Sequence, residues 1–145
     1  RTISLSGKYS QIQKLLLNIV KSTQEHVISK IKAGVSFDDL NQYCWEFMES
    51  SLDKDFITKG GRCKREYNKQ PHNVGHLLGI QTHDGDPFRS YRDQGLHENS
   101  IITIEPGLYG EFEYKGESIH CGIRIEDNIL VTKTGAKNLS IDIPK

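Results

Sequence analysis

The chain has 145 residues, 19 basic and 19 acidic, and a formal net charge of zero. That length fits one domain with a single core, and the even charge gives no electrostatic reason to expect nucleic acid or an anionic membrane as partner. No apolar run is long enough to span a bilayer, and no signal-peptide pattern opens the chain. Cys44, Cys63 and Cys121 are odd in number and irregularly spaced, which argues against a disulfide framework. A reducing compartment, the cytoplasm or an organelle matrix, is expected instead.

The first third of the chain reads as helical, over about residues 10–52. Ile12, Leu15, Leu16, Ile19, Val20, Val27 and Ile31 follow the three-four spacing of an amphipathic helix. Ser10 with Gln13 forms a capping-box pattern, and Gly34 marks the expected stop. A second helix starts at Ser36, with Asp38 and Asp39 in its first turn and an apolar stripe of Phe37, Leu40, Cys44, Phe47 and Met48. Both stripes are read as core and neither as chemistry. From about 53 to 71 the chain is polar, with Gly60-Gly61 and the basic residues Lys59, Arg62, Lys64, Arg65 and Lys69. Without aromatic interleaving this stretch reads as a solvated loop and not a nucleic-acid site.

After Pro71 the pattern changes to short alternating runs, Ile101 to Glu105 and Gly122 to Leu130 being the clearest. Helices followed by strands predict an α+β fold with helices on the apolar sheet face. Against that frame three stretches stand out: His72, His76 and His83; Glu105 before Pro106; and Glu126 before Asp127. His72 and His76 have the spacing of a zinc pair on a helix, but Gly75 and Gly79 disfavour a helix by about 1 kcal/mol each. If the two strands pair, Glu105 and Glu126 share a face and repel unless a cation lies between them. With His76 as a third donor the set is oxygen-rich with one nitrogen, which suits manganese, cobalt or zinc.

The segment His72 to Asp84, the box Thr103-Ile104-Glu105-Pro106-Gly107 and the box Gly122 to Asp127 occur in that order. Together they resemble the three C-terminal signatures of the pita-bread metallopeptidases, namely aminopeptidase P, prolidase and methionine aminopeptidase. His-Asn-Val-Gly-His, then Thr-His-Asp, then Gly-Ile-Arg-Ile-Glu-Asp is most similar to the aminopeptidase P branch. Gly7-Lys8-Tyr9-Ser10 resembles the lead into that family's first helix, so the similarity covers essentially the whole chain.

The resemblance implies an incomplete pita-bread fold, residues 1–145 being the C-terminal portion of the catalytic domain with metal-site strands over about 72–145. It implies a metal-dependent aminopeptidase releasing the N-terminal residue from Xaa-Pro peptides by attack of a metal-bridging hydroxide. His76, Glu105 and Glu126 would be metal ligands, in a complete site of two divalent ions, manganese first and cobalt or zinc next. Glu105 would also relay a proton, His72 and His83 would hydrogen-bond substrate, and Arg124 would brace the carboxylates. The family's two aspartate ligands would lie ahead of Arg1, so this stretch alone is expected to bind at most one metal, weakly. An open sheet edge would then pair with a missing N-terminal segment or with a second copy in a homo-oligomer. The rival readings are prolidase or another pita-bread aminopeptidase, a catalytically silent partner-binding module, and a zinc-stabilised structural domain.

Overall fold

A computed structural model describes residues 1–64, 71–85 and 94–145. Helix α1 spans Gln11–Lys30 and α2 spans Phe37–Leu52. Each begins with a closed capping box. Ser10 Oγ accepts from the Gln13 N–H while Gln13 Oε1 accepts from the Ser10 N–H, and Ser36 and Asp39 repeat the exchange. Helix α1 ends earlier than Gly34, at an extended Ile31. Gly34 instead takes φ +89° in the following turn, where its N–H donates to the Leu96 carbonyl. The helices meet along the expected stripes, with Ile12, Leu16, Ile19, Val20 and Val27 facing Leu40, Cys44 and Met48 in one buried core.

The stretch expected as a plain loop from 53 is more ordered than its polarity suggests. Asp53–Ile57 continues α2 as a π-helical turn that buries Phe56, and Arg62–Lys64 forms strand β1. Phe56 is the reason: it packs against Phe112 and Tyr114 and anchors the turn to the sheet. Arg65 and Lys69, counted above with the basic residues, lie outside the described residues.

The remaining strands are β2 Ile101–Ile104, β3 Gly107–Tyr114, β4 Glu117–Arg124, β5 Asp127–Val131 and β6 Ala136–Asn138. Among the described residues they and β1 form two antiparallel three-stranded sheets, ordered β1-β3-β4 and β2-β5-β6. The single strand expected over Gly122 to Leu130 is therefore two, and they belong to different sheets. Ile125 and Glu126 separate them, just as Glu105 and Pro106 separate β2 from β3. Alternation cannot reveal such a crossing, because the side chains keep period two through it: Ile123, Ile125, Asp127 and Ile129 are buried, while Arg124 is half-buried and Glu126 exposed. Helix α1 lies across the apolar side of both sheets, against β2, β3, β4 and β6. Among the described residues the architecture is α+β and not closed into a barrel.

Candidate metal centre

The histidine stretch reaches the strands as an added edge. Residues 74–78 run antiparallel beside β2, with Glu105 N–H donating to Val74 O, Thr103 N–H to His76 O, and Leu78 N–H to Ile101 O, all between 2.7 and 2.9 Å. Gly75 makes the approach possible: a Cβ there would lie 1.9 Å from the Thr103 carbonyl oxygen. A helix carrying His72 and His76 is thus replaced by an extended segment. Helix α2 steadies it, since Asn41 Oδ1 accepts the Val74 N–H at 2.7 Å.

This pairing sets His76 against Glu105. The carboxylate of Glu126 joins them, one donor atom from each of the three lying within 4.8 Å of the others. His76 Nδ1 lies 2.9 Å from the Leu77 carbonyl, which can only accept, so Nδ1 carries the proton and Nε2 presents its lone pair. That nitrogen is 3.3 Å from Glu105 Oε1. Two lone pairs facing each other need a proton or a cation between them. The tautomer, the two carboxylates and the half-buried His76 and Glu105 beside an exposed Glu126 fit a divalent metal of mixed oxygen and nitrogen preference.

His72, His83 and Arg124 line one open cavity of about 260 Å³ together with His76, Glu105, Asn73 and Gly75. The exposed His83 ring leans on His76, their centroids 4.3 Å apart. His72 is occupied on both nitrogens. Nδ1 donates to its neighbour's carbonyl, Asn73 O, at 2.7 Å, and Nε2 accepts from the Tyr109 hydroxyl at 3.1 Å. Its pKa lies below the ordinary imidazole value, first because burial penalises the charged form and also because Arg124 is nearby, against the opposing pull of Asn73 O and Glu105. A neutral His72 in this tautomer has its one N–H spent on Asn73 O, and opening the Tyr109 contact frees the Nε2 acceptor for a substrate N–H or O–H.

Two residues that the alternation pattern did not single out hold the cluster. Thr103 is buried; its Oγ1 accepts from the His76 N–H at 3.0 Å and donates to Glu105 Oε1 at 3.2 Å, tying the candidate nitrogen donor to the candidate oxygen donor. Tyr109 lies over Gly107 and Gly122, where any Cβ would strike its ring, and its hydroxyl accepts from Arg124 Nε at 2.7 Å. Arg124 Nη1 in turn reaches Glu105 Oε2 at 3.3 Å. The threonine was visible only as part of a box, and the tyrosine carried no signal beyond its place after Gly107.

Comparison with known proteins shows the family. Residues 1–133 match the family described as Metallopeptidase family M24. The mitochondrial intermediate cleaving peptidase 55 of Arabidopsis thaliana is 35% identical over 147 residues, covering 100% of this chain and 29% of that protein. Xaa-Pro aminopeptidase 1 of Streptomyces coelicolor is 32% identical over 161 residues, covering 100% of this chain and 32% of its own length. The crystal structure of Icp55 from Saccharomyces cerevisiae superposes with a TM-score of 0.79 at 30% identity, covering 100% of this chain and 37% of that one. The chain thus spans about a third of the length of the relatives it matches.

Proposed function

This chain belongs to metallopeptidase family M24, and from that premise we propose that it carries the C-terminal part of the active site of a metal-dependent Xaa-Pro aminopeptidase. The observation that carries the reading is the convergence of His76, Glu105 and Glu126 on one point beside a cavity lined by His83 and Arg124. In this reading those three residues hold the cation, manganese first and cobalt or zinc next. A divalent ion there supplies Lewis-acid polarisation of a scissile carbonyl and acidification of water.

The chain's own residues do the rest. Glu105, kept in place by Thr103 and Arg124, moves a proton from water to the leaving amine. His83 stands at the rim, where its ring nitrogens are available to a peptide carbonyl. His72 exchanges its Tyr109 contact for a substrate contact when a peptide enters. Arg124 keeps the Glu105 carboxylate turned toward His76. Residues 1–145 form the C-terminal portion of a pita-bread catalytic domain. Cys44, Cys63 and Cys121, none of them in a disulfide, suit a reducing compartment, the cytoplasm or an organelle matrix.

The test uses the protein as it occurs in its host, stripped with chelator and reloaded with manganese. It should release the first residue from an Xaa-Pro peptide and spare its Xaa-Ala counterpart, and Glu105→Gln should abolish turnover. A metal-loaded protein that binds the peptide without cutting it would favour the silent partner-binding module instead.

A further inference from the structure

Among the described residues, two short links carry the chain directly from one sheet to the other, and each contains one of the two carboxylate donors. Glu105-Pro106 links β2 to β3, and Ile125-Glu126 links β4 to β5. The flanking ladder pairs are Ile104 with Asp127 on one side and Gly107 with Arg124 on the other. Both metal-facing carboxylates therefore hang from backbone beyond the end of a ladder. Across the seam the Ile125 N–H reaches the Pro106 carbonyl at a long 3.4 Å.

Gln24 bridges this seam from α1. The residue is fully buried, at 0% exposure. Its Nε2 donates to the Ile104 carbonyl at 2.9 Å and to the Ile125 carbonyl at 3.4 Å. These belong to the residues immediately before Glu105 and Glu126. Its Oε1 accepts from Lys145 Nζ at 2.6 Å, and that ammonium fixes which end of the amide faces which way. Lys145 also pairs at 2.8 Å with Asp127, the buried neighbour of Glu126. Arg1 closes the network, donating from Nη2 to Asp127 Oδ1 at 2.6 Å and from Nη1 to the Glu126 carbonyl.

A buried amide on the apolar face of a helix is costly unless every polar atom is paired, and here both N–H groups and the oxygen are. An apolar side chain would satisfy helix packing equally well, so packing does not explain this residue. We propose that Gln24 is a positioning residue of the metal centre: it sets the spacing of Glu105 and Glu126 by holding the two carbonyls that precede them. This inference rests on reading those glutamates as metal ligands.

The experiment titrates manganese by calorimetry into the chelator-treated, full-length protein and records the visible spectrum of its cobalt form. Gln24→Met keeps the volume and removes the donors. It should raise the manganese Kd about tenfold, the low end of the range for residues supporting metal ligands, and shift the cobalt bands. A lower melting temperature with wild-type Kd and spectrum would make Gln24 a packing residue and overturn the proposal. Glu126→Gln separates the two levels of the argument. If it leaves manganese affinity untouched, the ligand assignment itself has failed and the inference falls with it. Should Gln24→Met not fold, Gln24→Glu decides, since it keeps the shape and the Lys145 pairing while removing the Nε2 donors to the two carbonyls. A several-fold rise in Kd supports the proposal, and an unchanged Kd overturns it.

Discussion

Gly75→Ala is the sharpest perturbation of the centre, because it adds one methyl group where two backbones touch. The new Cβ would stand 1.9 Å from Thr103 O and 2.8 Å from Thr103 C, both backbone atoms that no rotamer change can move. Restoring van der Waals contact requires the segment and β2 to separate by about 1.5 Å. Bonds of 2.7 to 3.0 Å from Glu105, Thr103 and Leu78 N–H and from the His76 N–H to Thr103 Oγ1 do not survive such a shift. At about 0.5–1.5 kcal/mol net for each, their loss costs about 2–4 kcal/mol once partial relaxation is allowed. The same shift takes His76 away from Glu105, and metal sites tolerate only about 0.5 Å of ligand displacement.

Urea denaturation and manganese calorimetry on the same sample give both numbers. Gly135→Ala is the control, since its Cβ would meet only Thr132 Oγ1 at 3.9 Å, and it should be close to neutral. Stability should fall by about 2–4 kcal/mol and manganese affinity by at least about a hundredfold for Gly75→Ala. If Gly75→Ala matches its control in both assays, the close pairing of residues 74–78 with β2 is not what builds the site.

Tyr109→Phe removes the hydroxyl joining Arg124 to His72; denaturation should show a loss of about 1–3 kcal/mol, and an unchanged midpoint would mean the contact is idle. Burial alone would raise the pKa of Asp127, but donors from Lys145, Asn138 and Arg1 outweigh it and hold the group below the usual carboxylate value. Its contribution to stability is then complete above about pH 4 and is lost as pH falls through the depressed folded value, so Asp127→Asn should flatten the acid limb of a stability–pH curve. His72 runs the other way in charge but not in direction. With its pKa depressed chiefly by burial, the unfolded chain takes up a proton first as pH drops below 6.5, and stability declines from there toward the folded value. Proton NMR should find its C2 resonance titrating below the ordinary imidazole value. Burial pushes the Cys44 thiol well above the usual range, so native alkylation at pH 8 should leave it unmodified until denaturant is added.

What could be read from the sequence was whatever is written over a few neighbouring residues. Both helix starts were legible because their signals are local, a capping box at Ser10 and Gln13 and an acidic first turn after Ser36, and both helical stripes because packing repeats every turn. His76, Glu105 and Glu126 could be picked out as candidates because they are polar members of three short boxes, the two glutamates on alternating runs. The rest depended on partners far away in the chain. Gln24 meets Ile104 across 80 residues and Ile125 across 101, and nothing beside Gln24 announces that its amide is buried and paired. Thr103 reads as the outward residue of a strand until residues 74–78 cover it. The crossing at Ile125-Glu126 left no trace because alternation passes through it unbroken, and the π-helical turn at Asp53–Ile57 depends on Phe56 finding Phe112 and Tyr114.

The two crossings also explain why the carboxylates stand where they do. A carboxylate in the middle of a paired strand has its direction fixed by the pleat, and two on adjacent strands either face each other at a set spacing or point apart. Past the end of the ladder that constraint is lifted. Pro106 reinforces the break, since it has no N–H to offer and cannot prolong β2. Glu105 and Glu126 can then turn toward His76, while Ile104 and Ile125 beside them stay fully in the core. The freedom that lets the carboxylates converge would also let them drift, so the orienting contacts must come from outside the sheets. Thr103, Arg124 and Tyr109 supply them on the open side, and Gln24 with Lys145 on the buried side. A centre built this way is sensitive to changes that remove no ligand. Substitutions at Thr103 or Gln24 should therefore weaken metal binding while all three ligands remain in place, whereas substitutions at the mid-strand positions Glu111 or Glu113 should leave it unchanged.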